Sequence, residues 1–159
     1  MTTNLIEREI VVEAPIDVVW KTLTEPAEMS RWFAEEAEFE LRTGAEGILF
    51  FGDQAGKERA AAERKSARLQ IEAVEPPHRF AFRWAYPEHA EARDGNSLLV
   101  EFTLTADGEA TRLRVVESGF DNRPAAERAA YIDDHNKGWD TCLGRLGEYV
   151  AGWVQAPQR

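Results

Sequence analysis

Apolar residues recur along this chain with two periods, and the places where the period changes mark its elements. From Ile6 to Ala14, "IEREIVVEA" sets Ile6, Arg8, Ile10 and Val12 against Glu7, Glu9 and Val11, the alternation of a strand with one better-buried face. Pro15 stops that strand and can open a short helix, "IDVVWKTL", whose Ile16, Val19, Trp20 and Leu23 share a side. A second helix is predicted from Pro26, with "AEMSRWF" delivering Trp32 and Phe33 at its end. Strands follow at 38–42, 47–52 and 66–75. The turn "TGAE" separates the first two, and the polar segment 53–65, which has no apolar stripe to dock, reads as a hairpin tip.

"RFAFRWAYP" then places Phe80, Phe82, Trp84 and Tyr86 on one face and Ala81, Arg83 and Ala85 on the other. Arg83 and Arg68 fall on the outer phase and read as solvated. After the loop "EHAEARDGN", residues 97–105 carry Leu98, Val100, Phe102 and Leu104 in phase. Asp107-Gly108 is a pair favoured in tight hairpins, and the partner strand "TRLRVVESGF" keeps Leu113, Val115 and Glu117 in phase. From Pro124 the period lengthens. Arg128, Ile132, His135, Trp139, Cys142 or Leu143, Leu146, Val150 and Trp153 return every three or four positions, one face of a helix of about 30 residues, roughly 45 Å long.

In order, these elements are a strand, two short helices, six strands and one long helix. No repeat, linker or change of composition divides them, so one domain is expected over residues 1–159, with its core at about 6–153. The fold class is α+β: a seven-stranded curved antiparallel sheet gripping a long C-terminal helix, with two short helices between strands 1 and 2. A twisted sheet cannot touch a straight helix everywhere, and the gap closed by the short helices becomes a cavity.

Composition narrows the functions such a cavity can serve. With 43% hydrophobic residues and 10% aromatics the chain can bury a real core. Its 29 acidic and 19 basic residues give a net charge of −10, which repels phosphate backbones and anionic lipid, so no nucleic-acid partner is expected. No stretch has the length of a membrane span and the first ten residues lack a basic-then-apolar leader, so neither membrane insertion nor export is expected. Cys142 is the only cysteine, which excludes an internal disulfide and suits a cytoplasmic location. His78, His89, His135 and Cys142 show none of the close pairings of zinc sites; no metal and no cofactor is expected. Exposed edge strands and acidic loops are compatible with a monomer or a small homodimer.

Several stretches together resemble the START-like, helix-grip superfamily, also called SRPBCC. Within it they resemble the activator of heat-shock-protein-90 ATPase homologue-like branch. The resemblance runs from about Ile6 to Val150 and rests on "EAPIDVVWKTLTEP" followed by "RWF", on "VEPPHRFAFRW", on "VVESGF" and on "HNKGWDTCLGRLGEYV". Two departures, "TGAEG" at the third strand and "ARLQIEAVEPP" without the usual Gly, concern strand geometry. What the resemblance implies is a pocket for a hydrophobic ligand, without naming that ligand, and a chaperone ATPase as an alternative partner.

The candidate pocket residues are Trp32, Phe33, Phe80, Phe82, Trp84, Tyr86, Phe102, Phe120, His135, Trp139 and Leu143. For each the plainer reading is core packing; their number on one concave face argues for exposure of some to a cavity. Trp32, Phe33 and Phe120 are placed at the entrance, or else they cap the sheet end. Gly138, Gly144 and Gly147 each cost about 1 kcal/mol against Ala in a helix, which close packing or space for a guest would offset.

His135 lies one turn before Trp139, and Glu117 is on the inner phase of its strand. If they meet they form an acid/base pair; the plainer reading has a solvent-facing His135 and a strand-end Glu117. Three functions follow: binding of a small hydrophobic or amphipathic molecule, lipid or polyketide-like, which is preferred; a co-chaperone module; and a cyclase or hydrolase using His135 and Glu117.

Overall fold

The computed structural model describes residues 5–34, 36–51, 65–86 and 89–155, with backbone alone for 65 and 153–155. The tip expected over 53–65 falls outside the described residues but for the backbone of residue 65, as does the side chain of Trp153. The elements are β1 (Ile6–Val12), α1 (Ile16–Thr24), α2 (Pro26–Met29), β2 (Glu36–Glu38), β3 (Glu46–Phe51), β4 (Lys65–Glu75), β5 (Arg79–Trp84), β6 (Leu98–Asp107), β7 (Ala110–Ser118) and α3 (Ala125–Gln155). The strands form one antiparallel sheet in the order β1-β7-β6-β5-β4-β3-β2. The chain therefore crosses from one sheet edge to the other between β1 and β2, and α1 and α2 lie on that crossing. This is the α+β helix-grip architecture expected from the hydrophobic periods.

Burial separates the two faces of the sheet. Ile6, Val12, Leu69, Ile71, Phe80, Phe82, Val100, Phe102, Leu104, Leu113 and Val115 are buried on the concave side, where Trp139, Leu143, Leu146 and Val150 of α3 meet them. The convex side carries cross-strand ion pairs in place of a second layer. Arg112 meets Glu9 at 2.9 Å, Arg79 meets Glu101 at 2.5 Å, Arg83 meets Glu72 at 3.2 Å, and Arg114 pairs with Glu7. Arg83 and Arg68 are thus on the outer face but not simply solvated. Arg68 lies 3.6 Å from Glu46 and over the ring of Tyr86 at 4.9 Å. Between Ile71 and Ala73 the β4–β5 register shifts, and the extra residue bends the sheet round α3.

Three local expectations are corrected. β2 is shorter and earlier than 38–42, because Phe39 leaves the ladder to stack on Phe80 at a centroid distance of 6.4 Å. β5 ends at Trp84, where Ala85 adopts φ +61°. That left-handed residue breaks the alternation and turns Tyr86 away from the Phe80, Phe82 and Trp84 stripe toward Arg68. In α3, a Cβ built on Gly138, Gly144 or Gly147 meets nothing within 4 Å, so no strand or short helix closes on these glycines. Gly119 does need its lack of a side chain: at φ +104° its Cβ would lie 2.5 Å from the Ser97 carbonyl oxygen. That tight passage leads from β7 into a single 3-10 turn, Phe120–Asn122, which buries Phe120 completely.

Candidate functional site

Glu117 occupies an inward position of β7, opposite Ile6 on one side and Val100 on the other, and is 0% exposed. Stripping a carboxylate of water costs several kcal/mol unless hydrogen-bond donors replace that water. Three donors converge here from two other elements. The Trp84 indole of β5 donates to Oε2 at 2.8 Å, the Trp139 indole of α3 donates to Oε1 at 2.9 Å, and His135 Nδ1 lies 2.8 Å from Oε1. His135 and Glu117 therefore do meet, and the plainer reading that kept them apart is corrected. Their sequence separation hid the meeting, since only the packing of α3 across β7 creates it.

Ring packing fixes the imidazole. Tyr131, one helical turn earlier, lies 4.4 Å from it centroid to centroid, Phe120 stands edge-on at 5.5 Å and Trp84 edge-on at 5.9 Å. Tyr131 is itself held, since its ring carries the Arg123 guanidinium at 4.1 Å and its hydroxyl accepts from Arg123 Nη2 at 2.9 Å. Indole N–H groups can only donate, so both tryptophans are locked to the carboxylate by hydrogen bonds that cannot be reversed.

The opposite side of these rings borders a cleft of about 820 Å³ between α3, the turn after α2, and the β3–β4–β5 end of the sheet. That volume is in the range of small-molecule sites. Phe33, Phe51, Trp84 and Trp139 supply its apolar wall. Phe33 is central, stacked on Trp139 at 5.4 Å, tilted against Trp84 at 5.6 Å and edge-on to Phe51 at 6.0 Å. It is carried there by the turn after α2, where the Trp32 indole donates to the Thr22 carbonyl at 2.9 Å and ties that turn to α1. Gly138 borders the cleft from α3, its missing side chain leaving the space open. Arg31 and Arg145 stand exposed at the mouth; neither is ion-paired among the described residues, whereas Lys137 reaches Asp133 at 3.2 Å.

Of the residues singled out in the sequence, Trp32, Phe33, Trp84, His135 and Trp139 line the cleft. Phe80, Phe82, Phe102, Phe120 and Leu143 do not. They are buried behind it, Phe102 edge-on to Trp139 at 5.9 Å. Trp32 and Phe120 are 1% and 0% exposed, so neither stands at an entrance. Tyr86 lies in a second cavity of about 360 Å³ beside Ala85, Ser97 and Gly119. Its hydroxyl is buried with no partner among the described residues, and burial raises its pKa.

Phe51, Tyr131 and Cys142 line the cleft but were absent from the sequence-derived set. Phe51 is in phase with buried Leu49, and Tyr131 stands four residues before His135, so both carried a readable signal. The Cys142 thiol faces the Phe33 carbonyl at 3.8 Å, and burial pushes its pKa up to about 11 against the pull of Arg145. It is a poor nucleophile.

The family described as Activator of Hsp90 ATPase homolog 1-like protein has a sequence model that matches residues 13–151. The chain belongs to this family. The helix-grip fold of this Hsp90-activator-like family is one that typically binds hydrophobic ligands. Among solved structures, DynU16, a protein of the dynemicin biosynthetic locus, is 28% identical with a TM-score of 0.70; the match covers 94% of this chain and 48% of DynU16. The chain thus spans about half the length of DynU16.

BPP1335 from Bordetella parapertussis is 27% identical with a TM-score of 0.67, covering 100% of this chain and 80% of its own. CalU16 from Micromonospora echinospora, 24% identical with a TM-score of 0.66 over 94% of this chain and 78% of its own, shares the fold. No curated protein matches the sequence. No helix among the described residues is long and apolar enough to cross a membrane.

Proposed function

We propose that the chain binds a small hydrophobic or amphipathic molecule, lipid or polyketide-like, in the cleft between α3 and the sheet, and that it does so in the cytoplasm. The observation that carries this reading is the cleft itself, about 820 Å³ of space bordered by aromatic rings that the chain's own side chains leave unfilled. Phe33, Trp84 and Trp139 show only 6%, 9% and 3% of their surface, and it is this small exposed apolar part, with that of Phe51, that a ligand can cover at about 25 cal/mol per Å². Two guanidinium groups at the mouth, Arg31 and Arg145, with no ion pair among the described residues, suit a guest with an apolar body and a polar end, which is why an amphipathic molecule is preferred to a pure hydrocarbon. DynU16, as a protein of a biosynthetic locus, is in keeping with a small organic ligand.

Native mass spectrometry of the protein purified from its own host tests the reading, alongside uptake of 1-anilinonaphthalene-8-sulfonate by protein stripped of any guest. An organic mass that co-purifies, and a dye whose fluorescence rises on the wild type and much less on Gly138→Leu, are the expected results. Protein that carries no organic mass and leaves the dye dark overturns it.

A further inference from the structure

Among the rings that border the cleft is the His135 imidazole, and the hydrogen bonds behind it restrict what it can recognise. Each Glu117 oxygen already accepts from an indole N–H, so the carboxylate is the acceptor of this cluster and His135 Nδ1, 2.8 Å from Oε1, is its donor. Both carboxylate oxygens are already engaged, Oε2 by Trp84 and Oε1 by Trp139 and His135. The tautomer of His135 is thereby set, with Nδ1–H donating inward and the lone pair of Nε2 left for whatever enters the cleft that His135 lines. No hydrogen bond joins Nε2 to the described residues.

We propose that this Nε2 is the anchor of the cleft and that it takes the proton of an acidic hydroxyl carried on an aromatic or enolic ring. The assignment rests on the cleft being a ligand site, and it names the class of ligand: a phenol or an enol. On docking, the ligand O–H bond breaks and an N–H bond forms at Nε2. Nδ1–H stays with Glu117, and the oxyanion left behind accepts a hydrogen bond from the new imidazolium. Charge is conserved in the step. The imidazolium is stabilised on one side by the Glu117 carboxylate and on the other by the oxyanion, the same logic by which a buried carboxylate supports a histidine base.

The geometry around the ring favours this over another proton acceptor. Tyr131, the other polar ring on the wall, accepts from Arg123 Nη2 and has only its O–H left to donate, so it is no base for a ligand's proton. The Cys142 thiol is turned to the Phe33 carbonyl. The remaining charged groups that border the cleft, Arg31, Asp134, Lys137 and Arg145, are exposed at its mouth. A ring with its hydroxyl on His135 has Trp84, Trp139 and Phe33 beside it, which provide stacking surfaces for a planar guest.

Two probes of nearly equal shape separate the proposal from the reading beneath it: 4-methylumbelliferone, which has an acidic ring hydroxyl, and its methyl ether, which has none. Binding is read by equilibrium dialysis, and the state of the hydroxyl by absorbance at a pH where the free probe is neutral. Wild-type protein is expected to hold the hydroxyl probe at least about tenfold more tightly than the ether, one hydrogen bond's worth, and to shift its spectrum to that of the anion. His135→Asn keeps a donor where Nδ1 stood and removes Nε2; it is expected to lose the preference for the hydroxyl probe over the ether and to leave the hydroxyl probe neutral.

Equal binding of the two probes by the wild type, or a preference that survives in His135→Asn, overturns the proposal while the cleft remains a ligand site. If neither probe binds the wild type, the ligand reading falls and the anchor falls with it. The wild-type comparison needs no variant, so it holds even if His135→Asn folds poorly.

Discussion

Glu117 is the side chain on which the site turns, and its energetics can be tested without a ligand. Glu117→Gln preserves shape but replaces one accepting oxygen by an NH2 group, which must then face either the Trp84 indole N–H or the Trp139 indole N–H with His135. Donor meets donor. A buried donor left without an acceptor costs about 1–3 kcal/mol, and removal of the charge weakens the remaining bonds, so a loss of about 2–4 kcal/mol is expected in urea unfolding. A change below about 0.5 kcal/mol, the size of an ordinary surface substitution, would mean that the three hydrogen bonds do not hold the site.

Cys142 offers a second local test, because it is the only cysteine and borders the cleft. With its pKa pushed up to about 11, only about one thiol in a thousand is ionised near pH 8, and reaction with a maleimide should be slow, rising about tenfold per pH unit toward 11. The sign follows from the raised pKa, since the reactive thiolate appears only as the pH climbs. An occupied cleft should slow the labelling further, whereas fast labelling at neutral pH would show that the thiol is not buried as described.

Helix α3 holds four glycines, Gly138, Gly144, Gly147 and Gly152, and two of them, Gly144 and Gly138, serve different ends. Gly144 is exposed and a Cβ there meets nothing within 4 Å, so Gly144→Ala should stabilise the protein by about 1 kcal/mol and leave dye uptake unchanged. Gly138 has the same freedom but borders the cleft, so Gly138→Leu should keep the helix and reduce uptake. Equal uptake by Gly138→Leu and the wild type would remove α3 from the ligand site.

The elements themselves were legible to within a few residues because all but β4, which changes phase at its bulge, follow one hydrophobic period, α3 from 3.6 and the strands from 2. Two breaks escaped it. Ala85 at φ +61° is a residue type with no preference for that conformation, so "FRWAY" gave no sign that Tyr86 would leave the stripe. Which of the in-phase rings face open space was also hidden. Trp84 and Phe82 share a face and a strand, yet only Trp84 lies at the end of the sheet that α3 and the α2 turn leave uncovered. Period assigns a face; position along the sheet axis depends on how the elements stack.

Among the described residues, charge and apolar surface are sorted in a way that leaves the cleft beside α3 open to a guest. The convex face is closed by arginine–glutamate pairs, and the concave face by α3, except where the aromatic wall remains open. A ligand that fills that opening binds the folded chain and has no counterpart in the unfolded one, so it must raise stability by mass action. At a free concentration about one hundred times Kd the gain is about 2.7 kcal/mol. For a chain of this length each kcal/mol raises the unfolding midpoint by about 2–4 °C, so a saturating probe should shift it by about 5–10 °C. Scanning calorimetry with increasing 1-anilinonaphthalene-8-sulfonate should show the midpoint rising with concentration in the wild type and in Gly144→Ala, and much less in Gly138→Leu. Because α3 and the sheet both border the cleft, the rise should come as one cooperative transition. A separate early melt of α3, unaffected by the dye, would show that the guest does not bridge the two layers and that the cleft is not where it binds.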